Sequence, residues 1–136
     1  MNKSRLRILL VEDDKIEVVK LKRSIPKEFN NYSFAFAVNG REAFSKIGEE
    51  TPDLIILDLN MPDTNGIEFL TILKENEDLK NIPVMILTTS DNDRDISECY
   101  KLGIAGYIIK PLKYEDYQLK IQAIINYWSH NEFLKL

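Results

Sequence analysis

The stretch that decides the fold is Asp53-Leu-Ile-Ile-Leu-Asp-Leu-Asn-Met-Pro-Asp-Thr-Asn-Gly66. Its four consecutive apolar residues, Leu54 to Leu57, are typical of a parallel strand that is covered on both faces. A carboxylate, Asp58, follows at once, and a proline, an asparagine and a glycine soon end the regular structure. Asp58 is therefore predicted to lie at the carboxyl end of a buried strand.

The same arrangement of an apolar run followed by a polar side chain occurs at three other places. Ile8 to Val11 leads into Glu12, Asp13 and Asp14; Val84 to Leu87 leads into Thr88; and Gly106 to Ile109 leads into Lys110. In an open parallel α/β sheet, ligands bind beyond the carboxyl ends of the strands. These polar groups are therefore expected to share one site.

Length and composition predict one domain. The 136 residues, 44% of them hydrophobic, suffice for a single core, so residues 1–136 are predicted as one domain with its core at about 5–128 and a short tail at 129–136. A net charge of -4 argues against a nucleic-acid-binding surface. The sequence predicts a soluble cytoplasmic protein for three reasons. Cys99 is the single cysteine, no apolar run approaches the roughly 20 residues that span a bilayer, and the first residues lack the apolar core of a signal peptide.

Five predicted strands alternate with five predicted helices, which favours a three-layer α/β sandwich with right-handed crossovers. The second strand, Ser33 to Val38, is less apolar and is expected at a sheet edge. A helix from Asp91 to Leu102 should carry Ile96, Cys99 and Tyr100 on one face, and Gly103 should end it. The last helix should bury a stripe of four side chains, namely Tyr117, Ile121, Ile124 and Trp128.

Leu119 and Ala123 lie on the opposite side of that last helix and form a small apolar patch. Two interpretations stay open for the patch, incidental exposure and a homodimer contact through the last helix and the adjacent strand.

The clustered carboxylates predict a metal site. Carboxylates about 4 to 5 Å apart repel by roughly 3 to 4 kcal/mol per pair at an effective dielectric constant near 20, and a divalent cation would relieve this. Oxygen ligands without histidine or cysteine favour Mg²⁺, with Mn²⁺ as a substitute. The alternative for Asp13 and Asp14 is helix capping, and Asp14 is also placed as the N-cap of the first helix.

A carboxylate can attack phosphorus if nearby positive charge stabilises the transferring group. Lys110 and the cation would supply that charge, and the Thr88 hydroxyl could donate a hydrogen bond to a phosphoryl oxygen. Each residue means little by itself, since Thr88 alone would be read as a strand cap.

Together these residues closely resemble the receiver domain of two-component response regulators, over residues 5 to 128. The resemblance implies a flavodoxin-like (βα)5 fold with strand order 2-1-3-4-5. It implies that Asp58 is the phosphoacceptor and that Thr88 and Lys110 contact the phosphoryl group. It further implies an acidic pair, Asp13 and Asp14, with the cation held by Asp14, Asp58 and the backbone carbonyl of Asn60.

The family pattern also covers the end of the fifth strand. Lys110-Pro111 matches the family's lysine and proline, which are commonly joined by a cis bond. Tyr107 matches the switch aromatic, which turns inward when the conserved hydroxyl moves toward the phosphate. The alternative is an ordinary half-buried strand aromatic.

Finer features resemble the stand-alone regulators that are partners of bacterial phytochrome-type kinases. They are Leu87-Thr-Thr-Ser90, Cys99-Tyr-Lys-Leu-Gly103 and Tyr127-Trp128. Thr89 is larger than the residue usual in receivers and is expected to narrow access for the phosphodonor.

His130 lies in the tail and is read as solvated, so it is neither a metal ligand nor a phosphodonor, and the phosphoryl group must come from another protein. The resemblance implies that this partner is a sensor histidine kinase or a histidine phosphotransfer protein. Residues 129–136 are too few for a DNA-binding or enzymatic output domain, so output is expected through an unknown target protein. The chain is expected to be a switch with weak autophosphorylation and autodephosphorylation, and no true enzyme.

Three other classes of protein share parts of this pattern. A haloacid-dehalogenase-like phosphatase needs an acid two residues after its nucleophile, and this chain has Asn60 there. A flavodoxin-like electron carrier needs a phosphate-cradling first loop, which Glu12-Asp13-Asp14 would repel. A degenerate receiver that only binds partners would not need the intact set of site residues.

Overall fold

Strands and helices alternate along residues 5–134, the part of the chain that the computed structural model describes. The strands are β1 (Leu6–Val11), β2 (Tyr32–Ala37), β3 (Leu54–Leu57), β4 (Asn60–Met61), β5 (Thr64–Asn65), β6 (Val84–Thr88) and β7 (Gly106–Ile109). The helices are α1 (Lys15–Ser24), α2 (Gly40–Glu49), α3 (Gly66–Glu75), α4 (Asp93–Lys101) and α5 (Tyr114–Ser129). All predicted elements are present, and the antiparallel hairpin of β4 and β5 was not predicted.

The main sheet has five parallel strands in the order β2-β1-β3-β6-β7. Because β6 and β7 are the fourth and fifth strands of this sheet along the chain, the predicted order 2-1-3-4-5 is confirmed. β2 lies at an edge, as its weaker apolar pattern indicated. All five carboxyl ends point the same way, so the residues that follow them meet at one edge of the sheet.

Alternate side chains of each strand enter two cores on opposite faces of the sheet. Leu9 and Val11 of β1 join the core under α2, α3 and α4, whereas Ile8 and Leu10 join the core under α1 and α5. This alternation is the two-residue period of a strand, and it makes the apolar runs continuous in sequence because both faces are covered.

Helix α5 covers the second core with the predicted stripe. Tyr117, Ile121, Ile124 and Trp128 are all buried. On the opposite side Leu119 is 65% exposed, and Ala123 is also exposed, so the predicted patch exists on the surface of the chain. Across residues 5–134, no helix is long and apolar enough to cross a membrane.

Helix α4 is attached to the sheet by little buried surface. Cys99 is the buried residue of this helix and Tyr100 is 53% exposed, so the residues predicted to share one face are not buried together. Consecutive residues lie about 100° apart around an α-helix, so Tyr100 faces solvent when Cys99 faces the core. Gly103 ends the helix as predicted, with a φ of 89° that favours glycine.

The Cys99 thiol is expected to be almost inert in the folded chain. Burial, reinforced by Asp95 and Glu98, raises its pKa to about 11, and it has no exposed surface. At about pH 8, Ellman's reagent should therefore react at least about a hundredfold more slowly with the folded chain than with the chain in urea. Since the sequence has one cysteine, no other thiol contributes to the signal. Equal rates in the two conditions would contradict the burial of this side chain.

Candidate functional site

The polar side chains that follow the strands come together at the carboxyl edge of the sheet, as predicted. Asp58 follows β3, Thr88 ends β6 and Lys110 follows β7. The Asp58 N–H donates to the Val11 carbonyl at 3.1 Å, and the Lys110 N–H donates to the Thr88 carbonyl at 2.7 Å. These backbone bonds continue the strand pairing into the site, so its side chains stand on rigid elements.

Three carboxylates lie close enough together to share a cation. Among residues 5–134 they are Glu12, Asp13 and Asp58, whose ligand oxygens lie within 4.8 Å of one another. Asp14 lies outside this group, because its side chain caps α1 by accepting a hydrogen bond from the Ile16 N–H at 2.9 Å. The N-cap prediction for Asp14 is confirmed. The acidic pair beside Asp58 is Glu12 and Asp13, which corrects the predicted pair of Asp13 and Asp14.

Lys110 is the cation of the site, and three carboxylates surround its ammonium group. The Nζ atom lies 2.9 Å from Glu12 Oε1, 3.0 Å from Glu17 Oε1 and 3.5 Å from Asp58 Oδ2. Burial opposes the positive charge, but Asp58 and Glu12 outweigh it and raise the pKa of Lys110. The side chain therefore stays positively charged, directly beside the candidate phosphoacceptor.

Glu12 is the most deeply placed acid of the cluster and the one that sequence reasoning left out of the metal site. Burial raises its pKa to about 7, although the hydrogen bond and charge of Lys110 offset part of this effect. Its N–H donates to the Ala37 carbonyl at 2.9 Å, which holds it in line with β1. The Lys110 ammonium, 2.9 Å from Glu12 Oε1, therefore offsets part of the cost of burying this carboxylate.

Asn60 connects the candidate phosphoacceptor to the hydroxyl groups after β6. Its N–H donates to Asp58 Oδ1 at 3.2 Å, and its side-chain amide donates to Thr88 Oγ1 at 3.2 Å and to Thr89 Oγ1 at 3.3 Å. Thr88 is fully buried and Thr89 is exposed. Asn60 therefore links the segment after β3 to the segment at the end of β6.

The loop after Asp58 is fixed by close packing at the start of α3. The Asn65 side chain caps this helix by accepting from the N–H groups of Ile67 and Glu68. A Cβ atom at Gly66 would lie 2.7 Å from Leu59 Cα and 2.9 Å from the Asp58 carbonyl oxygen. Only a glycine allows α3 to begin this close to the backbone of the candidate phosphoacceptor.

Tyr107 is half-buried, and its ring packs against the core under α4. Its hydroxyl donates to the Ser90 carbonyl at 2.9 Å, and Ser90 Oγ donates to Asp95 Oδ2 at 2.8 Å. Burial raises the pKa of Tyr107, so the hydroxyl remains a donor. The predicted switch aromatic is thereby joined to the loop that follows Thr88 and to α4.

The Lys110–Pro111 peptide bond is trans, which corrects the expected cis bond. No peptide bond within residues 5–134 is cis. Trans is the default even for bonds to proline, by about 0.5–1 kcal/mol. Lys110 reaches all three carboxylates from this trans arrangement.

The residues of the site fit a hard divalent cation. The group of Glu12, Asp13 and Asp58 offers oxygen ligands alone, which favours Mg²⁺ or Mn²⁺ over zinc. A carboxylate nucleophile, an ammonium 3.5 Å from it and an acidic cation site together are the groups that phosphoryl transfer to a protein needs.

A family model confirms the resemblance noted in the sequence. Residues 8–122 match the response regulator receiver domain, and the chain belongs to this family. Within the family the chain is similar to response regulator Rcp1 of Synechocystis sp., with 33% identity over an alignment of 128 residues; the alignment covers 89% of this chain and 87% of Rcp1.

Two solved structures share the fold over nearly their whole length. The phosphorylated cyanobacterial phytochrome response regulator RcpA matches with a TM-score of 0.89 and 29% identity, covering 97% of this chain and 100% of RcpA. The Mn²⁺-bound form of Rcp1 matches with a TM-score of 0.87 and 31% identity, covering 96% of this chain and 99% of Rcp1. The predicted resemblance to phytochrome response regulators is thus confirmed.

Proposed function

We propose that the chain is a phosphoryl acceptor in a two-component phosphorelay and that Asp58 takes the phosphoryl group. The single observation that carries this proposal is the Lys110 ammonium 3.5 Å from Oδ2 of a buried Asp58. A buried carboxylate can attack an anionic phosphoryl group only if nearby positive charge offsets the added negative charge.

In the proposed step an Asp58 carboxylate oxygen bonds to phosphorus while the bond from phosphorus to the donor's imidazole nitrogen breaks. The freed nitrogen keeps the electron pair of the broken bond. Lys110 donates N–H groups to the phosphoryl oxygens, and the Thr88 hydroxyl donates to another of them. Water later cleaves the phosphorus–oxygen bond slowly, so the chain is an acceptor with weak autocatalysis.

The cation site takes Mg²⁺, with Mn²⁺ as a substitute. Asp13 and Asp58 would hold the ion beside Glu12, and the Asn60 backbone carbonyl would add a ligand. When bound, the ion supplies positive charge that offsets the repulsion among the carboxylates and the phosphoryl oxygens. The Mn²⁺-bound form of Rcp1 supports this choice of ion.

The signal is a shift between two conformations. To donate to the phosphoryl group, Thr88 has to turn from Asn60 toward Asp58, which disturbs the loop that Tyr107 holds through the Ser90 carbonyl. Since α4 buries little surface, this loop and α4 are the segments that can respond at low cost.

The proposed partners are a sensor histidine kinase or a histidine phosphotransfer protein, which this chain would meet in the cytoplasm. Output would pass through another protein. Similarity to Rcp1 and RcpA favours a phytochrome-type kinase. Residues 1–136 are proposed as one receiver domain, of which the structure describes residues 5–134. Leu119 and Ala123 are proposed as a homodimer contact; a monomeric mass in equilibrium sedimentation, with and without beryllofluoride, would count against it.

Intact mass spectrometry after incubation with acetyl phosphate tests the proposed function. The chain should gain the mass of one phosphoryl group in Mg²⁺ and none in EDTA. Because acyl phosphates hydrolyse, samples are taken over a time course. If nothing is gained, a beryllofluoride titration follows, and failure to bind this phosphoryl analogue would favour the degenerate receiver that acts only by binding partners.

The rival phosphatase is disfavoured by the environment of Asn60. That position would have to hold a carboxylic acid for the second half-reaction, but its amide donates hydrogen bonds to two threonine hydroxyls. An amide does not ionise at physiological pH and cannot act as a general acid or base, so turnover of phosphate esters is not expected.

Thr89→Ala should speed phosphorylation by acetyl phosphate about threefold, which is less than 1 kcal/mol of barrier. Thr89 is exposed at the site entrance and accepts a hydrogen bond from Asn60 at 3.3 Å, so its removal widens access and leaves the amide freer to move. The initial rate of mass gain is the measurement. Thr51→Ala, an exposed threonine before β3, is the control, and an unchanged or slower rate for Thr89→Ala would reject the prediction.

A further inference from the structure

Lys110 has a partner that neither the cation site nor the phosphoryl chemistry requires. Glu17, on α1, places Oε1 3.0 Å from the Lys110 Nζ atom, closer than the 3.5 Å to Asp58. The side chain of Lys110 is 9% exposed and that of Glu17 is 22% exposed, so water screens this pair only in part. The contact joins the first helix to the end of the last strand of the sheet.

Glu17 is independent of the carboxylates that can hold a cation. The group whose oxygens lie within 4.8 Å of one another contains Glu12, Asp13 and Asp58 but not Glu17. On its other side Glu17 Oε2 lies 3.7 Å from Lys20 Nζ, and this ammonium lies 4.4 Å from the centre of the Tyr117 ring. Glu17 thus lies between two ammonium groups, that of Lys110 at the site and that of Lys20 where α1 packs against α5.

We propose that Glu17 is a positioning residue that holds the Lys110 ammonium toward α1 and competes for it with the phosphoryl group on Asp58. This inference rests on the proposed function. The Lys110 ammonium has three N–H donors. Glu12, Glu17 and Asp58 each place one carboxylate oxygen near it, so each donor already has a carboxylate partner. A phosphoryl oxygen can therefore engage Lys110 fully only if one carboxylate gives way.

Glu17 is the partner that can be released at least cost. Glu12 is almost fully buried and would be left without its counterion, whereas Asp58 carries the phosphoryl group itself. Glu17 is the most exposed of the three and has Lys20 as an alternative partner. Its contact with Lys110 thus stabilises the unphosphorylated arrangement and sets how strongly the site attracts a phosphoryl group.

The test measures beryllofluoride affinity in excess Mg²⁺ by NMR titration, with beryllofluoride standing in for the phosphoryl group. Glu17→Gln should bind it about three- to tenfold more tightly than the native chain, because contacting charges couple by that order. Glu17→Asp keeps the charge but shortens the side chain, so it should also bind more tightly. The proposal would be overturned if Glu17→Gln bound beryllofluoride with the affinity of the native chain. It would also be overturned if Glu17→Gln bound more tightly but Glu17→Asp bound with native affinity.

Glu49→Gln is the matched control for net charge. Glu49 is exposed at the end of α2 and makes the same change in total charge when it is replaced. Its beryllofluoride affinity should equal that of the native chain. An equal gain in Glu49→Gln and Glu17→Gln would overturn the proposal, because general electrostatics would then explain both.

A second measurement needs neither metal nor phosphoryl group. In the metal-free chain, Glu17→Gln should shift the ¹⁵Nζ resonance of Lys110 and speed the exchange of its ammonium protons, and an unchanged resonance would overturn the contact. If the native chain binds no beryllofluoride, the proposed function fails while this measurement still decides the Glu17 contact. If native binding is normal and the resonance is unchanged, the Glu17 inference fails alone.

Discussion

Asp58→Asn is expected to abolish phosphoryl acceptance and leave the chain folded. The amide has no anionic oxygen to attack phosphorus. The substitution also removes one negative charge from the cluster with Glu12 and Asp13, so the free energy of unfolding should stay the same or rise by about 1 kcal/mol. Intact mass after incubation with acetyl phosphate and Mg²⁺ measures acceptance, and urea unfolding measures stability.

Asp63→Asn is the matched control, since this aspartate is exposed in the turn between β4 and β5, close to the site in sequence. It should be labelled like the native chain. A labelled Asp58→Asn chain would show that another residue is the acceptor. A large loss of stability in Asp58→Asn would contradict the picture of carboxylates that repel one another around this position.

Gly66→Ala is expected to lower the free energy of unfolding by about 2–3 kcal/mol. The added methyl group would lie 2.7 Å from Leu59 Cα and 2.9 Å from the Asp58 carbonyl oxygen, and both neighbours are backbone atoms that cannot swing aside. The backbone of Asp58 should therefore move, and the rate of phosphoryl acceptance should fall about tenfold or more. Urea unfolding and the initial rate of mass gain measure the two effects.

Gly48→Ala is the opposite control. Gly48 lies near the end of α2, and a Cβ atom there would meet nothing within 4 Å. Alanine favours a helix over glycine, so this substitution should raise the free energy of unfolding by about 0.5–1 kcal/mol. If both alanine variants changed stability alike, the close approach at Gly66 would not be the cause.

The main sheet could be predicted because its strands are buried on both faces. A continuous apolar run such as Leu54–Leu57, followed by a polar residue, marks both the strand and its carboxyl end. The hairpin of Asn60–Met61 and Thr64–Asn65 could not be predicted, because two residues are too few for an alternating pattern. The exposure of Tyr100 shows the same limit for α4, where one buried residue does not define a helix face.

The position of the candidate site could be predicted, but the choice among its acidic residues could not. Three acids follow Val11, and the sequence does not say which of them point at Asp58. The predicted N-cap role of Asp14 distinguishes it from the other two acids. Its carboxylate accepts a hydrogen bond from the Ile16 N–H of its own helix and therefore does not point at Asp58. Glu12 and Asp13 are then the pair that remains for the cation site.

Contacts between residues far apart in the chain had no signal in the sequence. Glu17 was one acid on a predicted helix, and nothing local indicates that its carboxylate reaches Lys110. The bonds from Asn60 to Thr88 and Thr89 are of the same kind. Such contacts follow from how strands and helices are placed in space, which periodicity does not determine.

Cys99, the buried residue of α4, is a natural probe of local opening of this helix. Because Cys99 is buried beneath α4, a slowly reacting thiol reagent can label it only while α4 is open. The labelling rate divided by the rate for an exposed thiol gives the population of the open state, and hence the free energy of local opening. No label has to be introduced. Comparing this free energy with and without beryllofluoride would reveal whether occupancy at Asp58 makes the opening of α4 easier or harder.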